Sequence, residues 1–323
     1  MPATEPLSPP RLEEIEAAAE RIRPFARRTP LLQLDVDGPV EIWLKLENLQ
    51  PIGSFKIRGA ASAMARLSKA DLADGVITAS AGNFAQGLAY CAREMGLPCG
   101  VVVPDNAPRT KLEAIEDLGG RLQPVSYDRW WRALVEHAYP ELAGRFIHPV
   151  ADPDVVAGNA TIGLEIADDL PDVESVVVPF GGGGLSSGIA SALRARTPET
   201  KVYAAEVETA APFAASLAAG EAVGIDHRPS FVDGIGGKSV MKEMWPMTSE
   251  LLADSLVVSL DQIAEAIRLL VRRAKTVAEG AGAASVAAAL AGRAGNGRVV
   301  CVISGGNIDA DRLRTILAGQ TPE

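Results

Sequence analysis

Short apolar runs recur along the chain, separated by longer stretches in which apolar residues return every three or four positions. The runs fall at 75–80, 98–104, 121–126, 175–180, 201–207 and 298–304. Runs such as Val176-Val177-Val178 lack the polar alternation of a strand with one wet face. They predict strands buried on both faces, as in a parallel sheet. The 3.6-residue periodicity between them predicts helices over 84–96, 109–118, 128–137, 155–170, 185–196, 261–273 and 283–291. A helix over 11–23 has an Ala-rich face and ends or bends at Pro24. Another begins at Ser54, its expected cap, and runs through Ala60, Ala63, Met64 and Leu67. Such alternation gives the α/β class, with helices on both faces of mainly parallel sheets. The 323 residues suffice for about two domains. With no repeat and no low-complexity linker, these are expected to interleave.

Composition narrows the function classes. Lysine and arginine total 31 against 41 acids, a formal charge of −10 with no basic run, which argues against nucleic acid and against an anionic membrane surface. Hydrophobic residues make up 47%, yet no apolar stretch is long enough to span a bilayer. Residues 1–10 lack the basic and apolar pattern of a secretory leader. Cys91, Cys99 and Cys301 show neither disulfide-framework density nor metal spacing, which points to the reducing cytoplasm. His137, His148 and His227 have no spacing for a metal or a triad. Trp130 and Trp131 must face different sides of their helix, one toward the core and one outward. The acid-rich stretch 113–117 reads as a solvated helix face.

Four segments can carry chemistry. Lys56, flanked by Phe55 and Ile57, falls in the first turn of its helix. The positive end of the helix dipole disfavours an ammonium there, so the amine is a candidate nucleophile. A surface lysine at a helix start is the plain alternative. Ser80-Ala81-Gly82-Asn83 follows a buried strand and opens a helix. Its free backbone N–H groups suit a carboxylate or phosphate, although on local grounds an ordinary loop with Asn83 in a left-handed turn is the favoured account. Gly181-Gly182-Gly183-Gly184-Leu185 lets the backbone wrap an anion, or is a flexible loop. It matches neither a P-loop nor the early position and acidic partner of a dinucleotide fingerprint. Ser304-Gly305-Gly306-Asn307 again follows a strand, at the carboxyl end where open α/β sheets bind ligands, or forms a simple turn.

The order and context of these segments resemble the fold type II pyridoxal-phosphate enzymes, specifically the threonine/serine dehydratase and serine racemase group. The likeness runs from Arg28-Thr29-Pro30-Leu31 and Lys45-Leu46-Glu47-Asn48, through Ser54-Phe55-Lys56-Ile57-Arg58-Gly59-Ala60, to Ser304-Gly305-Gly306-Asn307. The resemblance implies a tryptophan synthase β-like fold of two interleaved domains, a large one at 1–47 and 149–323 and a small mobile one at 48–148. It implies that Lys56 forms the Schiff base with the cofactor, that Phe55 packs beside its ring and that Asn83 contacts its phenolic oxygen. Gly181 to Gly184 and Leu185 would hold the phosphate, Ser304 would meet the pyridine nitrogen, and Ser80, Ala81, Gly82 and Asn83 would take the substrate carboxylate. The implied activity is β-elimination from L-threonine or L-serine, giving a 2-oxo acid and ammonia, by a cytoplasmic homodimer. The alternatives are another β-hydroxy amino acid (phenylserine, hydroxyaspartate), an amino-acid racemase, or a non-catalytic binder.

Departures bear on these alternatives. Ala81 stands where racemases of the group carry a second serine, which disfavours racemisation. Phe84 replaces the usual histidine and predicts a more apolar pocket with room for a bulkier β-substituent. Asn159-Ala160 stands where Gln-Gly is usual. Glu206 and the Ala210 carbonyl match two ligands of the divalent cation found in many members, but Pro212 occupies the place of an expected aspartate, which argues against a cation.

Overall fold

Each of the six apolar runs forms a strand. The computed structural model describes residues 5–38 and 40–322; residues 1–4, which begin the stretch read above for a leader, lie outside the described residues, as do Pro39 and Glu323. The strands are β1 (Leu31–Gln33), β2 (Glu41–Lys45), β3 (Val76–Ala79), β4 (Cys99–Pro104), β5 (Gly120–Val125), β6 (Arg145–Phe146), β7 (Ser175–Pro179), β8 (Lys201–Val207), β9 (Asp254–Val258) and β10 (Arg298–Val302). The α-helices are α1 (Leu12–Ile22), α2 (Lys56–Arg66), α3 (Asn83–Glu94), α4 (Arg109–Asp117), α5 (Tyr127–Glu136), α6 (Pro153–Asp169), α7 (Gly184–Arg196), α8 (Pro212–Ala219), α9 (Trp245–Leu251), α10 (Leu260–Leu269), α11 (Gly280–Leu290) and α12 (Ala310–Leu317).

Two sheets result. The larger has the order β1-β2-β10-β7-β8-β9 and the smaller β5-β4-β3-β6. Every pairing is parallel except β1 with β2. The continuous apolar runs are explained by burial on both faces. In the larger sheet Val177, Val299 and Cys301 pack toward α10 and α11, while Val176, Val178, Val300 and Val302 pack toward α6 and α7. In the smaller sheet Val76, Cys99 and Val101 face α2 and α3, and Ile77, Ala79 and Val102 face α5. Trp130 joins that last cluster, whereas Trp131 is exposed.

The structure corrects some local expectations. Ser54 does not cap α2: the cap residue is Phe55, without a side-chain cap bond, and the Ser54 Oγ stands 3.4 Å from the Lys56 amide. Asn83 is the first residue of α3 rather than a left-handed turn residue, since the non-glycine residues with positive φ are His137 and Lys275 among the described residues. The helix expected over 261–273 widens into a π-turn at Leu270–Ala274. Strands β1, β2, β6 and β9 had no counterpart in the pattern, because they are short or begin and end on charged residues, as in Glu41-Ile42-Trp43-Leu44-Lys45.

Candidate active site

The carboxyl ends of β3 and β10 meet at the start of α2. Backbone hydrogen bonds fix Lys56 against the loop after β10: Phe55 N–H donates to Ser304 O and Gly306 N–H to Gly53 O, each at 2.9 Å. Lys56 and Ser304 are thereby held on adjoining strands of chain although 248 positions apart in the sequence, the difference of their numbers. Lys56 Nζ lies 5.0 Å from the centroid of the Phe55 ring and 5.9 Å from that of Phe84. Burial against these rings brings the amine pKa down to about 8, with a weaker opposing pull from the Glu279 carboxylate. The amine is therefore far more available as a free base than an ordinary lysine.

The turn after β3 delivers Asn83 to the same place. The Asn83 Oδ1 accepts from Asn307 Nδ2 at 2.8 Å, and its Nδ2 donates to Glu279 at 3.0 Å. Within the turn, the Ser80 Oγ accepts from the Gly82 amide at 3.3 Å, which shapes the loop. Ala81 and Asn83 stand beside it at the opening of α3, where amides of the first helical turn have no carbonyl of their own helix to pair with.

The glycine loop after β7 supplies the third wall. Gly183 caps α7 with φ of 89°, a conformation that costs other L-residues about 1–2 kcal/mol. The first helical bond runs from Ser187 N–H to Gly183 O, so the amides of Gly184, Leu185 and Ser186 point from the positive helix end. A Cβ on Gly181 would stand 3.7 Å from Gly234 O and 3.8 Å from Ile235 Cα, in ordinary contact. Phe55 shares an apolar cluster with Phe180 and Leu185, which seats this loop beside Lys56. Asn159 reaches across from α6 to donate to Gly184 O at 3.4 Å. That contact gives the Asn159-Ala160 departure a local role.

Two acids remain. Glu206 stands near the end of β8, and its carboxylate is already engaged. It accepts from the Phe213 and Ala214 amides at 2.9 and 2.8 Å and from Ser255 Oγ at 2.6 Å. A cation sharing Glu206 with the Ala210 carbonyl would have to displace those donors, and Pro212 begins α8 rather than offering a ligand. Among the described residues no three His, Cys, Asp or Glu side chains converge as a metal set. Glu279 escaped the sequence reading altogether. It precedes α11, its amide donates to Gly305 O at 3.0 Å, and burial pushes its carboxyl up to about 7. The available signal was a lone acid at the head of a glycine- and alanine-rich helix.

A half-buried amine, an oriented amide, a strand ending at a neutral serine and a glycine loop at a helix end come together here, a set that suits a phosphorylated carbonyl cofactor. The glycine loop stands at the positive end of α7 and the amine has no acid in ion-pair contact among the described residues, so the residues present fit that group. The chain belongs to the pyridoxal-phosphate dependent enzyme family, whose profile matches residues 22–305. It is 41% identical over 312 residues to an L-threonine ammonia-lyase of Thermotoga maritima, covering 95% of this chain and 78% of that protein. The structure of maize serine racemase superposes with a TM-score of 0.88 at 29% identity, covering 97% of this chain and 98% of that one. The processed threonine deaminase isoform 2 of Solanum lycopersicum gives 0.87 at 32% identity, covering 95% and 87%.

Proposed function

We infer that this enzyme is a pyridoxal-phosphate-dependent ammonia-lyase that converts L-threonine to 2-oxobutanoate and ammonia, and L-serine to pyruvate and ammonia. The observation that carries the reading is Lys56, an amine without an acid partner, tied through the Phe55–Ser304 bond to the loop that ends β10. Relatives named for threonine deamination support the substrate.

Bound pyridoxal phosphate supplies the electron sink for breaking bonds at the α-carbon of an amino acid. The chain's own residues then divide the work. Lys56 Nζ would hold the cofactor and, as a free amine, would take up the α-proton. The amides of Gly181 to Gly184 and Leu185 would hold the phosphate at the helix end. Asn83 would donate to the phenolic oxygen. Ser304 would be a neutral partner for the pyridine nitrogen, which would limit delocalisation into the ring and favour loss of the β-hydroxyl. The Ser80-Ala81-Gly82-Asn83 turn would bind the substrate carboxylate.

Ala81 offers no proton-bearing side chain, so elimination is favoured over racemisation. Phe84 is buried in the same cluster as Ile57, Ala85 and Leu88. The smaller sheet and its helices, within 48–148, act as the mobile domain, closing on the large domain of 1–47 and 149–323 to exclude water. Contacts across that boundary include Lys111 with Asp233 at 3.0 Å and His137 with Glu243 at 3.5 Å.

A homodimer in the cytoplasm completes the reading. Its compartment is supported by three buried free thiols, and no helix among the described residues is long and apolar enough to cross a membrane. The test is 2-oxo acid release from L-threonine, L-serine and L-threo-phenylserine by purified protein with added pyridoxal phosphate. Release from threonine or serine that disappears in Lys56→Ala is the expected result. Product from phenylserine alone overturns the substrate assignment, and no product from any overturns the reaction.

A further inference from the structure

Glu279 is a carboxylate only 9% exposed that no cation among the described residues neutralises by direct contact. The charged groups around it are Asp233, Lys111 and Lys56. Lys111 pairs with Asp233 at 3.0 Å, and Asp233 also meets Arg312 at 3.1 Å. Burying such a group without a counter-ion is costly, so its position calls for a reason. The space is shaped for it: a Cβ on Gly305 would stand 2.4 Å from Glu279 Oε1.

Its one side-chain partner is the Asn83 amide. Nδ2 lies 3.0 Å from Oε1 and 3.3 Å from Oε2. The other end of that amide is also committed, because Asn83 Oδ1 accepts from Asn307 Nδ2, which is itself anchored on Ile52 O at 2.9 Å. An ionised carboxylate accepts only, so it forces nitrogen rather than oxygen toward itself. Nδ2 carries two hydrogens and Glu279 takes one. The amide is thereby left with a single free donor, and its oxygen stays turned toward Asn307.

We propose that Glu279 is a positioning residue that locks the Asn83 amide with its remaining N–H toward the cofactor's phenolic oxygen, setting the proton affinity of that oxygen. The proposal rests on the assignment of Asn83 made above. In Glu279→Gln the new amide can donate as well as accept, so Asn83 is free to rotate and turn its carbonyl toward the phenolic oxygen. An oxygen that loses its donor holds a proton more tightly. The carboxyl's titration near neutrality places the wild-type lock at full strength above about pH 7.

The experiment is a pH titration of the visible absorbance of the bound cofactor in the wild type, Glu279→Gln, Asn307→Ala and the double variant Glu279→Gln/Asn83→Ala, with Asn83→Ala and Lys56→Ala as references. The midpoint is expected to rise by about half a unit or more in Glu279→Gln, with kcat down about 10- to 100-fold and KM little changed. Asn307→Ala, which frees the other end of the amide with Glu279 intact, should move the midpoint less than Glu279→Gln, because the carboxylate still holds Nδ2. In the Asn83→Ala background the Glu279 substitution should move the midpoint no further. An unchanged or lowered midpoint in Glu279→Gln, a shift in Asn307→Ala as large as in Glu279→Gln, or an additive shift in the double, overturns the proposal. Lys56→Ala retaining a lysine-like titrating band instead overturns the underlying site assignment.

Discussion

Lys56 and Arg58 stand two residues apart in the first turn of α2, the one half-buried and the other buried, and the acids each meets set them apart. Arg58 is paired on every side: Nε and Nη2 meet Glu47, Nη1 and Nη2 meet Glu165, and Nη1 also reaches Thr161 Oγ1. Lys45 completes the cluster, 2.6 Å from Glu165, so two cations face two carboxylates. Burial alone would lower the Arg58 pKa, but the two carboxylates outweigh it and hold the group firmly charged. The same pairing holds Glu47 below its ordinary value in spite of complete burial. Lys56 meets aromatic rings instead, and burial wins. Neighbouring cations on one helix thus become a structural tie and a reactive amine according to whether acids are supplied.

Removing the amine is the sharpest test of that contrast. Lys56→Ala should lower turnover by about 10³-fold or more, while the apoprotein melts no lower than the wild type at pH 7. The sign follows from its lowered pKa: the folded state releases a proton that the unfolded chain keeps, so the stability lost to the buried lysine is greatest below pH 8 and recedes as pH rises. Cofactor uptake by the wild-type apoprotein should rise through about pH 8. At that pH about half the amine is neutral, against about 0.3% for an ordinary lysine. A midpoint near the ordinary lysine value would break the contrast.

Arg58→Met reverses the pattern. It strands Glu47, while Glu165 keeps Lys45, and should cost about 3–5 kcal/mol in urea unfolding. A loss below about 1 kcal/mol would mean that water satisfies the carboxylates and that the cluster is not a tie. Gly183→Ala tests the third wall: its Cβ would meet Thr248 Cγ2 at 2.6 Å at a positive φ. About 1–2 kcal/mol of stability should go, together with weaker pyridoxal-phosphate binding measured on the apoprotein.

The difference between these two cations also explains what could be read from the sequence. Strands such as 175–180 were legible because both faces are buried, so the requirement is written in every residue. The stretch around β2 was not, because Lys45 is buried as an ion-pair partner and looks polar. The Ser54-to-Ala60 segment and the glycine loop announced themselves through local chemistry. Glu279 did not, since its meaning comes from an asparagine 196 positions away. The same holds for Arg58, whose acids at 47 and 165 flank it at long range. Local turn chemistry is visible in a chain, whereas charge pairing through the fold is not.

Glu206 offers the smallest and most discriminating extension of the comparison, a buried carboxylate held by neutral donors alone. Burial raises its pKa, and the Ser255 hydroxyl and the Phe213 and Ala214 amides at the start of α8 oppose that rise. Ser255→Ala removes one of the three donors and should cost about 1 kcal/mol at neutral pH. The deficit should shrink on acidification, because a protonated carboxyl asks less of its donors and the folded state already favours the proton. Urea unfolding of both proteins at neutral and acidic pH measures this directly. If the deficit instead stays constant with pH, Glu206 is neutral in the folded protein throughout, and the amides at the start of α8 do not stabilise its charge.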